Sequence, residues 1–369
     1  MPVSKVYCVN LRSACSSDSL LRKLGRLFRQ AGLANCINQD DLVAVKLHFG
    51  EMGNTAFLRP IYARTIVAEV KQAGGRPFLT DTNTLYLGER SNAVDHLNAA
   101  IANGFAYAVC DAPIIIADGL HGKDYVEAEI NLNHFQKVKI ASAIYHANSL
   151  IALSHVKGHP LTGFGGAIKN IAMGGASRGG KQMMHSAVRP EVGEGCIGCS
   201  LCVRWCPAGA ITVIDGVAQI NNDQCIGCGE CPVNCPHGVM RIQWGGPKRA
   251  VQERMAEFAY GLLRSKEGKA GFINFILDVV PECDCFSWSD APIVPDLGIL
   301  ASFDPVAIDQ ASIDLINAAP GLPNSKATDL PRGADKFRLI HPDVDPGVQL
   351  EYAEKIGLGQ RKYQLVEVN

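Results

Sequence analysis

The chain has 369 residues, 47% of them hydrophobic, with 35 basic against 36 acidic side chains and a formal net charge of -1. That balance excludes recognition of nucleic acid or of a membrane surface through bulk charge, and no run of about eighteen apolar residues offers a membrane span. The N-terminal segment MPVSKVYCVNLRSACSS has no apolar stretch of signal-peptide length, so a cytoplasmic protein is expected.

In chain order, Val3 to Val9 reads as a strand, and Leu20, Leu21, Leu24 and Leu27 give an apolar face to a helix starting at Asp18. Asp41 to Phe49 is an expected strand, Leu58 to Gly74 a helix ending in Gly-Gly, and Arg76 to Thr80 another strand. Ser91 to Gly104 is expected to be helical, Pro113 to Ala117 extended, Ile140 to Ala147 helical, and Ser149 to Val156 a strand of a buried sheet. The alternation stops near residue 186 and resumes near 247, with strands over 271–280 and 296–300. Asp304-Pro305 opens a helix, through a carboxylate N-cap and a proline in its first turn. After Ala319 the chain is rich in Pro, Gly and Asp and reads as ordered loop, with a last helix near Gln349 to Ile356. This is an α/β pattern with a mostly parallel sheet.

Between the two stretches of α/β pattern, one cysteine punctuation occurs twice. It runs Cys196, Cys199, Cys202, Cys206-Pro207, then Cys225, Cys228, Cys231, Cys235-Pro236. Each run is C-x2-C-x2-C-x3-C-P, which brings three thiolates to one cubane cluster and sends the fourth to the other. Cys196, Cys199, Cys202 and Cys235 are thus expected around one cluster, and Cys225, Cys228, Cys231 and Cys206 around the second. Structural zinc wants two separated C-x2-C pairs per ion, and a disulfide framework wants a secreted context. Neither fits two unbroken triplets each followed by Cys-Pro. Gly198 and Gly227, between the first two ligands of each run, let the backbone approach the cluster sulfurs. The stretch 188–245 resembles the bacterial two-cluster 4Fe-4S ferredoxin. The expected architecture is a host domain of residues 1–187 and 246–369, with a mostly parallel sheet and an inserted, small α+β ferredoxin-like module.

Candidate functional residues cluster at three expected strand ends, where open α/β sheets place their sites. The first carries Lys46 and His48, on one face of the strand by period-two alternation. The second is the glycine- and cation-rich run from Ser154 to His185, with Lys157, His159 and Lys169. There Gly163, Gly165, Gly166 and Asn170 precede or open a helix whose N–H groups are expected to cradle an anion. The third is Cys283-Asp284-Cys285, two thiols on one face with a carboxylate opposite, suited to a soft metal, a thiol pair or plain packing. Asp81 to Thr84, with Tyr86, forms a further polar strand end.

The segments VKLHFGE, LTDTNTLY, SHVKGHPLTGFGGAIKNIAMG and CDCFSWSDAPIVPDLGILASFDPVAID resemble the family catalogued as domain of unknown function number 362, in its ferredoxin-fused form. The resemblance implies an iron–sulfur protein of anaerobic or microaerophilic microbes and no particular reaction. The expected function is an iron–sulfur oxidoreductase, passing single electrons from two 4Fe-4S clusters to a small anionic substrate or cofactor. Its expected partner is a redox protein. The alternative is a ferredoxin-type carrier or cluster-assembly partner without catalysis of its own.

Overall fold

The computed structural model describes residues 3–86, 88–185, 190–206, 208–225, 230–241 and 248–368. Eight strands form the central sheet: β1 (Ser4–Val9), β2 (Leu42–Lys46), β3 (Arg76–Asp81), β4 (Ile114–Ile116), β5 (Ser149–His155), β6 (Ala270–Ile276), β7 (Gly298–Ser302) and β8 (Tyr363–Glu367). Their order is β8-β1-β7-β6-β5-β2-β3-β4, and β7 alone runs against the rest. From β2 the chain steps outward through β3 and β4 and returns to β5 on the other side of β2. The order therefore reverses between β2 and β5, and a crevice opens at their carboxyl ends.

Six helices matter for the site and its support: α1 (Leu20–Gln30), α2 (Pro60–Gln72), α3 (Ala167–Met173), α4 (Arg178–His185), α5 (Lys248–Arg264) and α6 (Pro305–Ala318). Alternation within the strands feeds two cores. On one face Val43, Val45, Ile151, Leu153, Ile273 and Phe275 pack with Leu24 and Leu27 of α1 and Ile66 and Val67 of α2. On the other, Ala44, Leu150, Ala152 and Phe272 pack with Ile168 and Ile171 of α3, Phe258 and Leu262 of α5, and Ile308 of α6. With helices over both faces, the strands are apolar throughout rather than alternating. Each fully buried Leu, Ile or Phe contributes about 1.5–3 kcal/mol.

The cysteine-rich segment leaves this body after α4 and returns in α5. Its described residues form two small antiparallel pairs, Glu191–Val192 with Met240–Arg241 and Ile211–Ile214 with Val217–Ile220, around a core of Cys202, Ile211, Ala218, Cys231 and Met240. Lys123 links the host to it, with Nζ 5.1 Å above the Trp205 ring and a hydrogen bond to Asn234 Oδ1. Pro207, Gly227 and Cys228, and the boundaries at 187–188 and 245–246, lie outside the described residues.

The strand expected over 271–280 ends at Ile276, and a short helix, Lys336–Ile340, lies in the tail read as loop; two further differences concern strands. Only Ser142–His146 of the stretch 140–147 is helical; Lys137–Ala141 is a strand paired with Tyr125–Glu129. Val138, Ile140 and Ala141 are buried against the host core, and this packing holds the hairpin. The second is β8, a half-exposed edge strand pairing in parallel with β1, in a tail expected to end in loop and helix. All five of its residues are half-exposed or exposed, so no buried apolar alternation marks the strand in the sequence.

Candidate functional site

Lys46 ends β2 and is 1% exposed. Its ammonium lies 3.0 Å from Asp81 Oδ1 at the end of β3 and donates to Asn170 Oδ1 at 2.7 Å, so this buried charge has its counter-charge inside the protein. Asn170, on α3, in turn donates to the Leu153 carbonyl and Ser154 Oγ at 3.0 and 3.1 Å, tying the helix to β5. A Cβ on Gly174 would fall 2.2 Å from Lys46 Nζ, which is why the chain has glycine there. Burial lowers the lysine pKa against the pull of Asp81. Burial would raise the Asp81 carboxyl, but Lys46, His48, His96 and Arg90 together hold it well below the usual carboxylate range.

Arg90 extends the network. Its Nε lies 3.1 Å from Glu51 Oε2 and its Nη2 donates to Tyr86 Oη at 2.6 Å. Tyr86 Oη stands 3.1 Å from the Cys285 carbonyl, which joins the β3 side of the crevice to the loop after β6. In that loop Asp284 points away from its neighbouring cysteines. It lies 2.9 Å from His155 Nδ1 at the end of β5 and 2.8 Å from Lys157 Nζ.

Cys283 and Cys285 face the other way, into a cavity of about 450 Å³. His48, Asp81, Tyr86, Arg90, His159, Lys169, Lys181 and His185 also line it. His48 Nδ1 accepts the Gly50 N–H at 3.0 Å, and His159 Nδ1 accepts the Leu161 N–H at 3.2 Å. These bonds place the proton of each neutral ring on Nε2. Burial first, and then Lys169, lowers the His159 pKa to about 4. Burial lowers Lys181 to about 8 despite Asp118, whose own burial raises it to about 7. Lys169 Nζ lies 3.5 Å from Cys283 Sγ. Hydrogen bonding from Cys285, with Lys169 and His159, holds the Cys283 thiol well below its ordinary value despite burial, and the same hydrogen bond holds Cys285 well above.

Of the residues singled out in the sequence, Lys46, His48, Lys157, His159, Lys169, Asn170, Cys283 and Cys285 converge here. Gly165 and Gly166 line the same crevice, but the helix start that follows them is already occupied. Gly163–Gly165 forms a short strand against Lys157–His159, and the Ala167 and Ile168 N–H groups at the start of α3 donate to Asp309 of α6 at 2.6 and 2.9 Å. A Cβ on Gly166 would fall 2.2 Å from that carboxylate. The expected cradle for an external anion is therefore filled by an internal one. Burial raises Asp309 to about 6. Arg90 and Asp309 are the residues sequence reasoning missed. Lys181 stood within the cation-rich run, whereas nothing near Arg90 in sequence marks it.

In the cysteine-rich segment, Cys196, Cys199, Cys202 and Cys235 line one small cavity. The Ala218 N–H points at Cys196 Sγ (3.4 Å) and the Ala210 N–H at Cys206 Sγ (3.2 Å). Four thiols lining one cavity, with an amide donor on the Cys196 sulfur, suit a metal cluster.

The fold and site define an α/β protein with a mostly parallel eight-stranded sheet and a polar cavity at its carboxyl edge. A family model described as Domain of unknown function (DUF362) matches residues 43–314, and the chain belongs to that family. The match spans the cysteine runs, and no separate ferredoxin model is matched there. No curated protein matches the chain. Among solved structures, the chain is similar to the lactate racemase apoprotein from Thermoanaerobacterium thermosaccharolyticum, at 13% identity and a TM-score of 0.38. The similarity covers 74% of this chain and 51% of the other, so the chain spans about half that protein's length. No described helix is long and apolar enough to cross a membrane.

Proposed function

We propose that this chain is an iron–sulfur electron-transfer protein, acting as an oxidoreductase on a small anionic substrate or cofactor in the α/β cavity. The observation that carries this reading is the convergence of His48, His159, Lys169, Lys181 and the two thiols on one cavity at the carboxyl ends of β2, β3 and β5. A protein that only relays electrons needs no such pocket. Clusters held by Cys196, Cys199, Cys202 and Cys235, and by Cys225, Cys228, Cys231 and Cys206, would supply one-electron chemistry. The shared cavity of the first four cysteines supports that assignment. A redox protein is the expected electron donor or acceptor.

The cavity's own groups account for the rest. Arg90 is paired with Glu51 and Lys169 meets Cys283 Sγ, so Arg90, Lys169 and Lys181 reach the cavity as charged hydrogen-bond donors around a single carboxylate among its described lining residues, Asp81, which supports a guest with anionic oxygens. His48 and His159, neutral and protonated on Nε2, offer hydrogen bonds to charge that develops on the guest. Lys181, whose pKa burial lowers despite Asp118, is suited to exchange a proton with the guest.

Anaerobic purification followed by mass spectrometry of the released small molecules tests the reading. A bound organic anion is expected from the wild type. Lys169→Ala should lose it at unchanged iron content, and Lys181→Met should slow its turnover at least about tenfold. If no organic ligand co-purifies, and neither variant alters reoxidation of the reduced protein, the carrier reading replaces this one.

A further inference from the structure

We propose that Cys283 and Cys285 form a thiolate–thiol pair that exchanges with small organic disulfides entering the cavity, Cys283 attacking and Cys285 resolving. The argument begins with charge pairing. Lys46 has Asp81, Lys157 has Asp284 and Arg90 has Glu51, each within 3.1 Å. Among the described residues Lys169 has no carboxylate within ion-pair distance; the acceptor its ammonium meets is Cys283 Sγ. The sulfur therefore stands where the neighbouring cations have a carboxylate. It also accepts the Cys285 N–H at 3.4 Å.

The same three groups that face one another here, His159, Cys283 and Cys285, have ligand atoms all within 4.8 Å, as a soft cation would need. The imidazole argues for thiol chemistry instead. A histidine that ligates through Nε2 needs its Nδ1–H to meet an acceptor. His159 Nδ1 meets a donor, the Leu161 N–H, so Nε2 keeps the proton and serves as a donor in the cavity. Both thiols line the cavity, with their sulfurs within 4.8 Å of each other, and the Phe286 N–H on the Cys283 carbonyl closes the turn that carries them.

The exchange balances without a further reactant. The Cys283 thiolate attacks one sulfur of R–S–S–R, the S–S bond breaks, and the departing thiolate takes the proton of Cys285 and leaves as RSH. The Cys285 thiolate then attacks Cys283 sulfur and expels the second RS⁻. The protein is oxidised by two electrons to a Cys283–Cys285 disulfide, and the organic disulfide is reduced by two. No cluster takes part, so the outcome is separable from that of the oxidoreductase reading.

The test treats full-length protein with 3,3′-dithiodipropionate or bis(2-hydroxyethyl) disulfide and reads each cysteine by peptide mass spectrometry. In the wild type the peptide carrying 283–285 should lose two hydrogens, retain no adduct, and return to the dithiol with dithiothreitol. Cys285→Ser should instead trap one mixed disulfide at Cys283, and Lys169→Met should slow that trapping about tenfold. Exposed Cys15 serves as the internal reference for ordinary thiol reactivity. The proposal is overturned if the wild-type 283–285 peptide stays reduced and unmodified while Cys15 reacts. It is equally overturned if the wild type binds one equivalent of Zn(II) that His159→Ala loses and that shields Cys283 from the disulfide.

Discussion

At the scale of single residues the site is a set of buried cations, each matched to a partner from another strand end. Lys46 and Asp81 have side chains 2% and 4% exposed, so removing one leaves the other charged in a dry place. Lys46→Ala is expected to cost about 3–5 kcal/mol in urea unfolding, and Lys46→Met with Asp81→Leu to recover more than half of it. A loss below about 1 kcal/mol would mean that Arg90 and His96 suffice for Asp81. Lys46 was legible because a lysine in an apolar run must find a partner or a ligand. Which of the two it finds was not, since Asp81 and Asn170 lie 35 and 124 positions along the chain.

At the scale of elements, α3 shows how a correct local pattern leads to the wrong occupant. Glycines ahead of a helix do lead to free N–H groups, but here α6 delivers Asp309 to those of Ala167 and Ile168 from 142 and 141 residues away. The consequence is a pH dependence. Folding raises this carboxyl from the ordinary 3.8 to about 6, so the folded state keeps a proton that the unfolded state has lost. Its contribution is full below about pH 4 and is lost as pH rises through about 6, a fall of about 3 kcal/mol across that window. Asp309→Asn should remove this component, measured as the wild-type-minus-variant difference in urea stability between pH 4 and pH 7. A difference that stays flat would contradict the assignment. The Tyr125–Ala141 hairpin makes the same point from the other side, since its strand character comes from packing on the host core rather than from a local signal.

At the scale of the whole molecule, β6, β7 and β8 follow the cysteine runs in sequence yet join the sheet begun by β1 and β2. The two runs stand to each other as halves of a repeat, with Cys235 sharing a cavity with Cys196, Cys199 and Cys202. By the same exchange, the proposed assignment places Cys206 with the second run. Cys206→Ser in anaerobically prepared protein should therefore alter the EPR signal of one centre and spare the other, with the loss of up to about four irons. Loss of the centre formed by Cys196, Cys199 and Cys202 would reverse the assignment.

Taken alone, the sequence determined what depends on short spacing. The α/β alternation, the repeated cysteine pattern, and the polar residues Lys46, His48, His159 and Cys283 near expected strand ends can all be read within a few residues of themselves. Only the tertiary structure decided what those residues meet. Strand order sets which ends become neighbours, and the reversal between β2 and β5 brings Asp81, Asn170 and the 283–285 loop onto one crevice. Because buried charges must be neutralised within a few ångströms, that order, and no local pattern, assigned Asp81 to Lys46, Asp284 to Lys157, Asp309 to the start of α3, and a sulfur to Lys169.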